Sequence, residues 1–171
     1  MKTAAKTTGS AAKKTTATVK KTTTTKKPTP TITTLAKGER LVRSGEFSAK
    51  LLALINAERT KAGLAALTYR SDLQAVADLR AKELVDRFGS TRPNGTAFDT
   101  ALTAVGVSFT TPLENIEHGC RDAAALFDEW NRLPACRDRL LNGVVTDTVI
   151  GVCQCDDGTL YWVQLYFDKG V

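Results

Sequence analysis

Acidic residues are missing from positions 1–37, histidine occurs once in 171 residues, and no apolar run approaches the roughly 20 residues of a membrane span. The first absence accompanies nine lysines between Met1 and Lys37, set among Thr and Ala. Such a segment has almost nothing to bury and cannot offset its ordering entropy, so residues 1–37 are expected to form a disordered tail. Pro28-Thr29-Pro30 stiffens the tail's end as a spacer. Taking those nine lysines from the 24 basic residues leaves 15 against 18 acidic ones, so residues 38–171 carry about −3 and the chain's +6 belongs to the tail. The tail has no aromatic side chain to stack on a base, which favours a solvated tether, or contact with an anionic polymer or surface, over sequence-reading nucleic-acid binding. A nucleic-acid-associated intracellular protein is the reading this disfavours. The second absence restricts histidine chemistry, in acid–base work or in a metal centre, to His118. The third leaves no helix long enough to cross a bilayer. Met1 is followed by lysine and threonine instead of an apolar stretch, so no secretory leader is visible in this chain.

Residues 38–171 amount to one domain. Phe47, Leu51, Leu54 and Ile55 recur at helical spacing over 44–62, and Gly63 supplies a stop. The segment 71–85 predicts a second helix, with Ser71 and Gln74 spaced as a capping box and Arg80 snorkelling out of an apolar stripe. Arg92-Pro93-Asn94-Gly95 is a turn, 96–105 a short helix, and 122–133 a helix facing inward with Ala123, Leu126, Phe127 and Trp130, ended or kinked by Pro134. The C-terminus changes period: 148–155 and 160–167 flank Asp156-Asp157-Gly158 as a β-hairpin. Its second strand is apolar on both faces except for Gln164, which implies a sheet covered by helices on each side.

Ser90-Thr91-Arg92-Pro93-Asn94-Gly95, then Leu113-Glu114-Asn115-Ile116, then Trp130 with Leu133-Pro134-Ala135-Cys136-Arg137, carry a resemblance in this order and spacing. The chain resembles the CAP/SCP superfamily (cysteine-rich secretory proteins, antigen 5, pathogenesis-related proteins) in its bacterial form, where the segments read His-Thr-Arg-Pro-Asp-Gly, Gly-Glu-Asn-Ile and Trp-x-x-Ser-Pro-Gly-His-Arg. Asn56-Ala57-Glu58-Arg59 and Tyr161-Trp162-Val163-Gln164 add to the match, which spans residues 46–168. The resemblance implies an α+β fold, a three-layer α-β-α sandwich with a mainly antiparallel central sheet. It also implies a cleft that in eukaryotic relatives gathers two histidines and two glutamates around a divalent metal. Here Glu114 matches the first acid, Leu133 stands at the second, and Ser90 and Cys136 replace the histidines. One surviving carboxylate is no zinc site, since zinc takes about four N, S or O ligands. No metal or cofactor is therefore expected.

The candidate cleft is Ser90, Arg92, Glu114, His118 and Cys136. Glu114 can brace a loop through backbone N–H groups or touch a ligand. Arg92 can hold its own turn or pair with an anionic headgroup. His118 follows Glu114 by four residues and is either surface or part of a rebuilt site. Cys120, Cys136, Cys153 and Cys155 allow two disulfides, a metal site or buried thiols. Cys153 and Cys155 share a strand face, so a bridge would join each to Cys120 or Cys136. The favoured reading is an exported or envelope-tethered, extracellular domain that binds a small molecule, lipid or protein through a degenerate cleft without catalysis. The alternative is a hydrolase using Cys136 or a rebuilt metal site with Glu114 and His118.

Overall fold

Two apolar clusters, one on each side of a central sheet, determine which residues of this chain are buried. The computed structural model describes residues 39–41 and 44–170. The lysine-rich segment 1–37, expected as a tail, lies outside the described residues.

The elements run β1 (Glu39–Leu41), α1 (Ser44–Lys61), β2 (Thr68–Tyr69), a 3₁₀ turn (Ser71–Leu73) leading into α2 (Gln74–Asp86), α3 (Thr100–Thr103), β3 (Leu113–His118), α4 (Ala123–Arg132), α5 (Pro134–Leu140), β4 (Asp147–Cys155) and β5 (Leu160–Phe167). The strands lie in the order β1-β4-β5-β3, all neighbours antiparallel, and β2 adds a short parallel pairing to the start of β4. β3 is an edge strand, and this matters for the site.

Strand period 2 sends Ile150, Val152, Trp162 and Tyr166 to one face, where they meet Leu51 and Ile55 of α1 and Leu126 and Trp130 of α4. It sends Val149, Cys153, Val163, Leu165 and Phe167 to the other, against Val76, Ala77, Ala81 and Leu84 of α2. The result is the three-layer α-β-α sandwich that the two-faced apolar β5 implied. Gly151 sets the distance between α2 and the sheet, because a Cβ at this position would lie 2.1 Å from the Ala77 carbonyl oxygen. We expect Gly151→Ala to cost about 2–3 kcal/mol by forcing α2 off the sheet, read as a lower midpoint in urea unfolding; an unchanged midpoint would contradict this packing.

Four local expectations change. The capping box does not form: residues 71–73 make a 3₁₀ turn, and the Gln74 amide instead donates to the Ile150 carbonyl (2.9 Å) and to Asp78 (2.8 Å). The sheet edge competes for this side chain and wins. The helix expected over 96–105 shrinks to the four residues of α3. The Glu114 segment, expected as a loop, is strand β3; its pattern is hidden because Glu114 and Asn115 are both buried, one on each face. Pro134 neither merely ends nor kinks α4 but starts α5 from its first turn, where a missing N–H costs nothing.

Candidate functional site

Glu114 points from β3 toward α2, and Arg80 meets it there. The guanidinium donates from Nε to one carboxylate oxygen (2.9 Å) and from Nη2 to the other (3.4 Å), with both side chains shielded from solvent. Arg80 Nη2 also donates to the Gly89 carbonyl (2.6 Å), tying the start of the Ser90 loop to the same cation. Arg80 therefore does not snorkel: its aliphatic stem lies in the stripe, but its head is buried on a carboxylate. Glu83, one helical turn along, continues the alternation. It lies 3.5 Å from Arg80 and accepts from Arg92 Nε (2.9 Å) and Nη2 (2.7 Å), while Arg92 Nη1 donates to Thr100 Oγ1 (3.0 Å). Charges thus alternate along Glu114–Arg80–Glu83–Arg92, two acids and two bases that cancel. Burial raises the Glu114 carboxyl above the ordinary range, opposed by Arg80 and then by the Ser90 hydroxyl beside it. The fork-to-carboxylate geometry engages both oxygens of this acid inside the protein.

The five predicted cleft residues separate into four groups. Ser90, exposed on the loop after Gly89, and Glu114 adjoin each other. Arg92 reaches them only through Glu83 and Arg80; it holds its own turn and has no free fork for an anionic headgroup. His118 shares Glu114's strand face but sits at the far end of β3, stacked on Tyr161 (5.6 Å) and edge-on to Phe88 (4.7 Å). Cys136 lies on α5, on the opposite side of the sheet, where its carbonyl accepts from Asn115 Nδ2 (3.2 Å). No hydrogen bond or ion pair among the described residues joins Cys136 or His118 to Glu114.

The same sheet overturns the disulfide expectation. Cys120 and Cys136 are free thiols packed against the α1/α4 side, whereas Cys153 is buried on the α2 side, so the proposed cross-pairing would have to pass through the sheet. Burial raises the Cys136 thiol above its ordinary range, Arg139 opposes that, and Glu117 and Glu129 add to it. Burial, Glu117 and Glu129 raise Cys120 as well. These are poor nucleophiles at neutral pH.

The residues at the tetrad positions do not fit a divalent metal. Ser90 offers a hydroxyl, Leu133 nothing, Cys136 lies across the sheet, and both oxygens of Glu114 are held by Arg80. Among the described residues no three His, Cys, Asp or Glu side chains converge as a metal would require.

Sequence reasoning missed Arg80 and Glu83 as parts of this site, because their partners lie 34 and 9 residues away and no local pattern links them. It also passed over Asn115 and Arg139. Asn115 is buried in β3, and Arg139 Nη1 donates to Asn115 Oδ1 (3.4 Å) and to the Ala135 carbonyl (3.1 Å) from α5. The sequence held no signal for this pair, because β3 was not read as a strand and Arg139 lies 24 residues on.

Comparison with known proteins agrees with this architecture. The chain is 29% identical over 126 residues to the uncharacterized protein YkwD of Bacillus subtilis, covering 72% of this chain and 48% of YkwD, so it spans about half the length of that curated relative. Its fold superimposes on an outer surface protein of Borrelia burgdorferi with a TM-score of 0.69 at 20% identity, covering 76% of this chain and 98% of that one. It also superimposes on an extracellular protein containing an SCP domain from Bacillus anthracis, with a TM-score of 0.64 at 23% identity over 74% of this chain and 41% of that one. The profile of the cysteine-rich secretory protein family, CAP, matches residues 52–166. With its motifs, its sandwich and that match in agreement, the chain belongs to the CAP family.

Proposed function

We propose that this protein is an exported or envelope-tethered CAP domain that binds a ligand or partner through a modified cleft and does no catalysis. The observation that carries this reading is the chelation of Glu114 by Arg80. The one acid left from the family's tetrad is neutralised inside the protein and offers neither a metal ligand nor a proton carrier. Export is supported by the surface and extracellular character of the two superimposed proteins. Among the described residues, no helix is long and apolar enough to cross a membrane. The nine lysines before Gly38 supply the tether, or a contact with an anionic polymer or surface. Ser90, exposed beside Glu114, marks the mouth of the cleft, and a small molecule, lipid or protein is its ligand.

The test is retention of the full chain on isolated bacterial envelopes. Ser90→Trp should fill the mouth and lower retention about tenfold, equivalent to about 1.4 kcal/mol, while its circular dichroism spectrum shows the fold retained. Raising the salt should weaken only the lysine-dependent part. Equal retention of Ser90→Trp and the natural chain would refute the cleft. Hydrolysis of ester or peptide substrates that disappears in Cys136→Ala would refute the non-catalytic reading in favour of a hydrolase.

A further inference from the structure

Four uncharged polar side chains are buried between β3, β4 and β5 on the α4/α5 side of the sheet: Asn115, Thr148, Gln164 and Tyr166, each at most 1% exposed. Placing that many polar groups inside a core costs stability unless every group is satisfied. They satisfy one another in one direction. Thr148 Oγ1 donates to the Leu165 carbonyl (2.8 Å) and accepts from Gln164 Nε2 (3.0 Å). Gln164 Oε1 accepts from the Tyr166 hydroxyl (2.8 Å), whose oxygen accepts from Asn115 Nδ2 (3.1 Å). Asn115 Oδ1, the last acceptor, receives Arg139 Nη1 at the protein surface. Burial pushes the Tyr166 phenol well above its ordinary range, so it remains a donor and the direction is fixed.

Every link thus presents its acceptor end toward Arg139. The row of dipoles stabilises a cation at its outer end without neutralising it. Arg139 is half-buried and has no carboxylate within ion-pair distance among the described residues. Its neighbours in sequence are engaged: Arg132 pairs with Glu129 and Arg137 with Glu58. Glu117, two residues past Asn115 on the same strand face, instead accepts the His118 backbone N–H (2.9 Å). The Cys136 thiol beside the guanidinium is held neutral by its burial and supplies no counter-charge. Arg139 reaches the oxygens of Asn115 and Ala135 through Nη1 and hydrogen-bonds the neutral Cys136 thiol, a weak acceptor that an incoming anion would displace from the fork.

We propose that Arg139, preset by the Asn115–Tyr166–Gln164–Thr148 chain, is a binding site for an oxyanion, the carboxylate or phosphate end of a ligand. This deepens the ligand-binding reading and rests on it, placing the ligand's anionic end on the α5 side of β3. A fork with two parallel donors matches two oxygens of either group, and a lysine would not.

The experiment follows the Arg139 Nε–H and Asn115 side-chain amide NMR signals of the full chain during separate titrations with inorganic phosphate and acetate at constant ionic strength. Saturable shifts of both signals with a Kd of about 1 mM for at least one anion are expected. The tighter of the two identifies the class. Arg139→Gln and Arg139→Lys should weaken binding at least about tenfold, and Tyr166→Phe about threefold by breaking the chain of dipoles. Unchanged spectra away from α5 establish that each variant is folded. Absence of saturation by about 50 mM, or equal titration of Arg139→Gln, overturns the site, the latter because the tail lysines would then be the binders. If the anion titration fails but Ser90→Trp still lowers envelope retention, this proposal falls and the cleft stands; the converse result removes the cleft and leaves an anion site.

Discussion

Replacing Arg80 by methionine is expected to lower stability by about 3–5 kcal/mol at pH 7, since removing one partner of a buried ion pair strands the other. The stranded group is Glu114. Glu83 keeps Arg92, which already binds it through two nitrogens, whereas Glu114 is left with the Ser90 hydroxyl alone. The loss should depend on pH with a definite sign. Burial already raises the Glu114 carboxyl and Arg80 opposes that rise. Without Arg80 it rises further, so the folded state holds this proton more tightly than the unfolded chain does. Stability contributed by such an acid is present below the ordinary glutamate range and is lost as pH climbs through the raised value. Urea midpoints of Arg80→Met should therefore fall between pH 5 and pH 8 relative to the natural chain. Parallel curves for the two proteins would show that Glu114 is not the orphaned group. Glu114→Gln in the same background should recover part of the loss at pH 8, since an amide needs no counter-charge.

Arg59→Met should cost about as much, about 3–5 kcal/mol, for a different reason. Arg59 is only 2% exposed and has no acidic partner among the described residues. Its guanidinium donates to the carbonyls of Ala65 (2.8 Å), Leu140 (2.8 Å), Asn142 (2.8 Å) and Val145 (3.4 Å). One cation thus ties the end of α1 to the loop that leads from α5 into β4. Methionine fills the stem's volume and leaves four buried or half-buried acceptors unsatisfied. Unlike Arg80→Met, this loss should be flat with pH between 5 and 8, because no titrating partner is exposed. A steep pH profile, or a cost below about 1 kcal/mol, would mean that the carbonyls find water instead.

These two arginines also show where reading the chain reaches its limit. The helices α1 and α4 were legible because their apolar residues recur at 3.6-residue spacing, and the β4–β5 hairpin because both of its strands are β-branched and aromatic around a Gly turn. Arg59 was legible only as part of a motif; three of its four carbonyls come from loops, and the fourth from the end of α5, whose course no periodicity records. Arg80 looked like an interruption of an apolar stripe because local spacing gives no access to a carboxylate 34 residues on. β3 escaped because two adjacent buried polar residues cancel the alternation that marks a strand. The cysteines were countable but not placeable: which side of a sheet each one takes depends on register, and register is a tertiary property.

Gly151 gives α2 its height above the sheet, and that height has a consequence for tuning the site. A guanidinium bonds a carboxylate within a window of a few tenths of an ångström, and the Arg80–Glu114 bond at 2.9 Å lies within it. Side-chain volume at position 151 therefore acts as an adjustable spacer for a pair of charges it never touches. A methyl group there would have to displace the Ala77 turn of α2, three residues before Arg80, and is expected to lengthen the Arg80–Glu114 bond. Position 151, which contacts neither charge, thus sets how firmly Glu114 is held.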